Sequence, residues 1–246
     1  MNGRKRKLLC TALVCANMLL SLCACERPVG GLETVTDLET VSPAEGIRCA
    51  GAGPLSVYSG AKLDLLMPLS EYSWERKYVP EFVMIHFTSA VVEHRDDPYN
   101  EDHLRALFTE NEVSTHYLID REGTVHCYVP EDRVAWHAGA GEWLGDPRYT
   151  NTMNEYAIGI ELAAIGSETD MEKYLPDGAY ETLDPALPGF TEEQYDALTG
   201  LVADLCSRYH IPSDREHIIG HDEYSPEKHD PGELFDWSRI LPEEPS

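Results

Sequence analysis

Two short apolar runs dominate the pattern of hydrophobic and polar positions: "FVMIHF" at 82–87 and "YAIGIELAAIG" at 156–166. Both hold β-branched residues without helical spacing and read as buried strands, the second a central one. Helical spacing occurs in "NEDHLRALFTENEV" (100–113), where Leu104, Leu107 and Phe108 share a face and Asn100 can cap. It recurs after "TEEQ" (191–194), a capping box with Thr191 as N-cap and Gln194 at N3. Tyr195, Leu198, Leu201, Val202, Leu205 and Tyr209 then form a stripe that Pro212 ends. "THYLID" (115–120) and "TVHCYVP" (124–130) flank "REG", a hairpin signal. Strands interleaved with helices predict an α/β fold: a single domain with a central mixed β-sheet flanked by helices. A long acidic stretch rich in Pro and Gly, 167–189, reads as a functional or mobile loop.

The first 60 residues carry no such pattern. "MNGRKRK" is a basic flank, "LLCTALVCANMLLSL" a short apolar stretch, and "LCAC" follows. This describes a secretory signal better than a membrane span, which needs about 20 apolar residues. Leu22-Cys23-Ala24-Cys25 resembles a bacterial lipobox, which implies cleavage after residue 24 and acylation of Cys25. A plain cleaved signal is the alternative. Residues 25–60 read as a flexible acidic tether and 61–243 as the folded domain. Cys49, Cys127 and Cys206 are too widely spaced for a disulfide framework and read as isolated thiols.

The chain has 19 Lys and Arg against 44 Asp and Glu, a net charge of -25. Such a charge repels nucleic acid and anionic lipid, which removes nucleic-acid binding from the functions expected.

Candidate chemistry comes from a few polar residues in or after the apolar runs. Strand alternation sets Met84 and His86 on one face and Val83 and Ile85 on the other. It likewise sets Gly159 and Glu161 opposite Ile158, Ile160 and Leu162. A carboxylate in an apolar strand needs a cation, a metal or a cleft unless it faces water at a sheet edge. Gly159 beside it leaves room for an approaching group. Near the C-terminus, "EHIIGHDEYSPEKHDPG" (216–232) offers three histidines and several carboxylates. His86, His221 and Asp230 would make two imidazoles and one carboxylate. That set suits catalytic Zn²⁺ with an open fourth position, and equally Fe(II).

The blocks "MIHFTSA", "VSTHYLIDREGTVHCYVPEDRVAWHAGAG", "NEYAIGIEL", "FTEEQYDALTGLVADLC" and "IIGHDEYSPEKHDPGELFDW" occur in one order over roughly 80–237. Together they resemble the zinc-dependent N-acetylmuramoyl-L-alanine amidases of the amidase-2, peptidoglycan-recognition-like fold, of the AmpD/AmiD type. The resemblance implies His86, His221 and Asp230 as zinc ligands, Glu161 as general base and Lys228 beside the developing oxyanion. It implies that His137 and Asn154 line the substrate groove. The substrate expected is peptidoglycan or a muropeptide, cut between N-acetylmuramic acid and L-alanine. A recognition module without catalysis is the alternative, and a monomer is expected. The Pro226–Gly232 stretch is one residue shorter than the family's usual form, and His229 beside Asp230 is a substitute ligand to test. With the leader, these features place the protein outside the cytoplasm, lipid-anchored in a bacterial envelope. Cys25→Ala should release the chain from the membrane fraction; continued sedimentation with membranes would sink the lipidation reading.

Overall fold

The computed structural model describes residues 56–241. The leader, Cys25 and Cys49 lie outside the described residues. No helix among the described residues is long and apolar enough to cross a membrane.

The strands are β1 (Lys62–Leu63), β2 (Ser73–Glu75), β3 (Phe82–Thr88), β4 (Tyr117–Ile119), β5 (Val125–Cys127), β6 (Arg133–Ala135), β7 (Ala157–Ala163) and β8 (Ile218–Gly220). The helices are α1 (Leu69–Tyr72), α2 (Glu101–Glu110), α3 (Glu168–Met171), α4 (Glu192–Tyr209) and α5 (His221–Tyr224). Six strands make one sheet in the order β1-β5-β4-β7-β3-β8, and β2 pairs with β6 apart from it. β4, β7, β3 and β8 run parallel, while β5 turns back antiparallel to β4. The sheet is therefore mixed, and the "REG" hairpin is present, its Gly123 at φ 80.

Apart from His86, Thr88 and Glu161, β3 and β7 are apolar because interior parallel strands are covered on both faces. Val83, Ile85, Ile158, Ile160 and Leu162 meet the α4 stripe of Leu198, Leu201, Val202 and Leu205 in the main core. Phe82, Met84 and Ala157 face the other way and pack on Tyr149, Met153 and Tyr224. On this second face His86 and Glu161 stand in register near the C-terminal ends of β3 and β7. Such strand ends are where open parallel sheets present ligands.

The capping signals act as read. Asn100 accepts from the Asp102 and His103 N–H groups, and Thr191 and Gln194 close a reciprocal box. Gln194 also donates from its buried amide to Ile119 O (3.2 Å) and Ala163 O (3.0 Å), tying the start of α4 to the ends of β4 and β7. Cys127 and Cys206 are buried free thiols.

Two segments differ from the sequence reading. Residues 56–60, assigned to the tether, are bonded into the domain: the Glu131 N–H donates to Ser56 O (2.7 Å) and the Tyr58 N–H to Tyr117 Oη (2.7 Å). Glu131 is fully buried and collects Arg208 (2.8 Å to Oε1), Tyr209 (2.6 Å) and the Tyr117 hydroxyl. Burial pushes its carboxyl up, but Arg208 and the two phenols outweigh this and hold it below the usual range. The acidic stretch 167–189 is a packed excursion: Met171, Leu175, Ala179 and Leu183 join Val91 and Ile165 in a small core. Its polarity concealed four apolar anchors at irregular spacing.

His126, nearly buried on β5, points Nδ1 at Asp64 (2.6 Å) and Nε2 at Asp120 (3.0 Å). Both contacts require N–H donors, so the ring is an imidazolium. Lys62 adds a cation at 3.2 Å from Asp64 and 3.6 Å from Glu101. Burial lowers the His126 pKa, yet the bonds to Asp120 and Asp64 leave it raised above 6.5. Its contribution to stability is thus fully present below pH 6.5 and fades as pH climbs through the raised value. His126→Gln should cost about 2 kcal/mol near pH 6, a melting-temperature loss of about 4–8 °C. The gap from wild type should narrow on the alkaline side in scans across pH; a gap constant with pH would refute the charged clamp.

Candidate metal centre

The site is built where β3, β7 and the turn from β8 into α5 meet. Alternation on β3 forces His86 onto the second face, and α5 begins with His221 directly after β8. Asp230 follows on a loop whose register is set by the Asp222 N–H donating to Asp230 O (2.8 Å). Three atoms converge. His86 Nδ1 lies 3.0 Å from His221 Nδ1 and 2.9 Å from Asp230 Oδ2, and His221 Nδ1 lies 2.9 Å from the same Oδ2. Both imidazoles are buried.

The outer nitrogens decide what this triangle is. His221 Nε2 is 2.9 Å from Ala138 O and must donate there, which leaves a lone pair on Nδ1. His86 Nε2 is 3.0 Å from His137 Nδ1. If it donates there, His137 keeps its proton on Nε2, an atom buried and unpartnered among the described residues. In this tautomer chain two imidazole lone pairs and a carboxylate oxygen face one another. Such a donor set needs a cation or a proton between its members, and the three atoms lie close enough together for one small metal ion to reach them all. Burial, then the His221 charge, pushes His86 down to about 4, so its ring is neutral near pH 7. With protons on these rings instead of an ion, burial opposes ionisation of Asp230, but the His221 charge and the bonds from both imidazoles hold its carboxyl far below the ordinary range.

Glu161 pairs with His86 across the β3–β7 ladder. Its Oε2 is out of solvent and unpartnered among the described residues. Burial, then the charge of Asp230, raises its pKa well above 4.5, while Lys228 opposes the shift. Lys228, two residues before Asp230, is near enough for its charge to act on His86 as well.

The approaching group for which Gly159 leaves room is the His137 ring. A Cβ at Gly159 would meet its Cγ at 2.6 Å and Nδ1 at 2.7 Å. Asn154 acts on the backbone, its Oδ1 accepting from the His137 (3.0 Å) and Ala138 (2.8 Å) N–H groups. It thereby places both the ring that bonds His86 and the carbonyl that bonds His221.

Three contributors escaped the sequence reading. His116 accepts the Gly159 N–H on Nδ1 (3.0 Å), and burial followed by the Arg76 charge keeps it neutral. Tyr174, packed on the small core of the 167–189 excursion, feels the centre's charge: burial and then Asp230 raise its phenol. Asp170 anchors that excursion against the Asp230 loop. None had a local signature, since each acts through residues distant in sequence.

A second group, Asp64, Glu101 and His126, also brings metal-ligating atoms together. There Lys62 and the imidazolium already supply the positive charge.

Residues 76–233 match the family model described as N-acetylmuramoyl-L-alanine amidase. The chain belongs to the N-acetylmuramoyl-L-alanine amidase family. All the residues singled out above as ligands, base or groove fall inside that match. Among curated amidases, AmpD of Enterobacter cloacae, a 1,6-anhydro-N-acetylmuramyl-L-alanine amidase, is 38% identical over 129 residues, 52% of this chain and 55% of the relative. AmiD of Escherichia coli K12, an N-acetylmuramoyl-L-alanine amidase, is 31% identical over 201 residues, 78% of this chain and 62% of the relative. The chain thus spans little more than half the length of these relatives. The crystal structure of an AmpD selenomethionine derivative superposes with a TM-score of 0.52 at 26% identity, covering 75% of this chain and 94% of that one. The amidase fold expected from the sequence is the fold observed.

The full chain should bind one divalent cation per molecule at this centre. Calorimetric titration should show that binding lost in Asp230→Ala and His221→Ala but kept in His229→Ala. His229 lies outside the converging group, so loss of the cation in His229→Ala alone would overturn the ligand assignment.

Proposed function

We propose that the chain is a zinc-dependent hydrolase of the amide between N-acetylmuramic acid and L-alanine in peptidoglycan or muropeptides. One observation carries this: the His86–His221–Asp230 triangle stands beside Glu161, a half-buried carboxylate whose Oε2 is out of solvent and unpartnered among the described residues. Family membership favours Zn²⁺ over the Fe(II) that two histidines and a carboxylate also accommodate. Held by these three residues, Zn²⁺ supplies Lewis acidity toward water and the scissile carbonyl.

The chain's own groups do the rest. Glu161 takes the proton of the attacking water on a carboxylate oxygen and delivers it to the departing alanine nitrogen. Its raised pKa brings it closer to the pH at which one group performs both transfers well. Lys228 offsets the charge that develops on the carbonyl oxygen, a contribution of about 2.7–4 kcal/mol for a well-aimed donor. His137 and Asn154 line the substrate groove in this reading, Asn154 holding the loop that carries His137. The complete set argues against a module that only binds. The lipobox-like Cys25 and the leader support action in the cell envelope, on a substrate within reach of the tether.

Purified chain should release stem peptides from murein, stop with a chelator and recover with zinc. Glu161→Gln should retain the metal and lose about 10²–10⁴-fold in kcat. Binding to murein without release at saturating zinc would sink the hydrolase reading; near wild-type turnover in Glu161→Gln would sink the base assignment.

A further inference from the structure

The excursion after β7 is fastened to the loop that carries Lys228 and Asp230. At the start of α3, Asp170 Oδ2 accepts the Ser167 N–H (2.8 Å), and Ser167 Oγ accepts the Asp170 N–H (3.2 Å). That capping box would function on an open surface. Asp170, however, is only 4% exposed. The reason is a third contact, from the Glu233 N–H to the same Oδ2 at 3.3 Å.

The loop is shaped around this carboxylate. Gly232 has φ 74, and a Cβ there would meet Asp170 Cγ at 2.6 Å and His229 O at 2.8 Å. Only glycine allows the backbone two residues beyond Asp230 to lie so close. Flanking contacts bracket the same stretch: Lys173 Nζ donates to Glu227 O (3.3 Å) and Ser167 Oγ to Glu233 Oε2 (3.2 Å). The excursion thus grips the loop on both sides of Lys228–Asp230, while Asp222 holds it from α5.

We propose that Asp170 is a positioning residue for the metal centre, fixing the Gly232–Glu233 backbone so that Asp230 Oδ2 meets the two imidazoles. It touches neither substrate nor metal. The inference rests on His86, His221 and Asp230 being the ligands. It makes the excursion part of the machinery that assembles the seat.

The test is the zinc dissociation constant of the full chain, measured by competition with a chromophoric chelator, for wild type and four variants. Asp170→Ala should weaken zinc about tenfold or more, the scale of an outer-sphere partner. Asp170→Asn keeps an acceptor oxygen and should restore wild-type affinity. Gly232→Ala, which forces the same contact apart from the loop side, should weaken zinc as well. The Asp170→Ala/Gly232→Ala double variant should bind no worse than Gly232→Ala alone, since one contact is removed twice. A folded Asp170→Ala protein with wild-type affinity overturns the proposal, because a purely structural cap would lower only the melting temperature. Should circular dichroism show Asp170→Ala unfolded, Gly232→Ala decides, and unchanged affinity there overturns it. Failure of wild type to bind zinc would instead overturn the ligand reading, and this inference with it.

Discussion

An imidazole and a carboxylate stand side by side on the face of a parallel sheet, where neighbouring positions are filled with hydrocarbon. The in-register pairing of β3 with β7 puts His86 against Glu161, and both polar groups must be compensated without bulk water. For His86 the compensation runs inward to His137 and outward to His221 and Asp230. Glu161 has no protein partner among the described residues, and its carboxyl is pushed toward the protonated form. The rest of the local architecture follows. His137 needs space, so position 159 is glycine; its loop needs fixing, so Asn154 accepts two backbone N–H groups.

Around this pair the molecule divides its labour by sheet face. The α4 face is an ordinary apolar core, with a buried Gln194 tying helix to strand ends and Glu131 compensated by Arg208 and two phenols. The opposite face carries the ionisable groups of the centre. Rigid strands present His86 and Glu161, while a short helix and a loop bring His221 and Asp230. Precision therefore depends most on the loop, the least regular contributor, and the restraints accumulate there. Asp222 bonds it from one side and the excursion from the other.

How much could be read beforehand depended on the range of each interaction. Long apolar runs and helix caps are local, and the strands, α2, α4 and the hairpin lie where the pattern put them. β1, β2, β6 and β8 span two or three residues, too few for alternation to register. Spacing alone left His86, His221 and Asp230 as one choice among many, because their partnership spans 135 and 144 positions. Only collinear motif blocks singled them out. The packing of the 167–189 excursion is not legible in its acidic composition, because its few apolar side chains close a core with residues far upstream. The contact of Asp170 with the Asp230 loop has no sequence signature for a similar reason: it is made to a backbone N–H far along the chain.

The Glu131 cluster has a mechanical consequence. A chain is most easily displaced where it enters the fold. The first described residues, Ser56 and Tyr58, do not hang from the two-residue edge strand alone. Ser56 bonds the backbone of Glu131, and Tyr58 the phenol that itself bonds that carboxylate. Arg208 and Tyr209, at the end of α4, complete that fastening on the sheet face turned away from His86 and Glu161. The point where the chain enters the fold is thus fastened on one face of the sheet, and the candidate metal centre stands on the other.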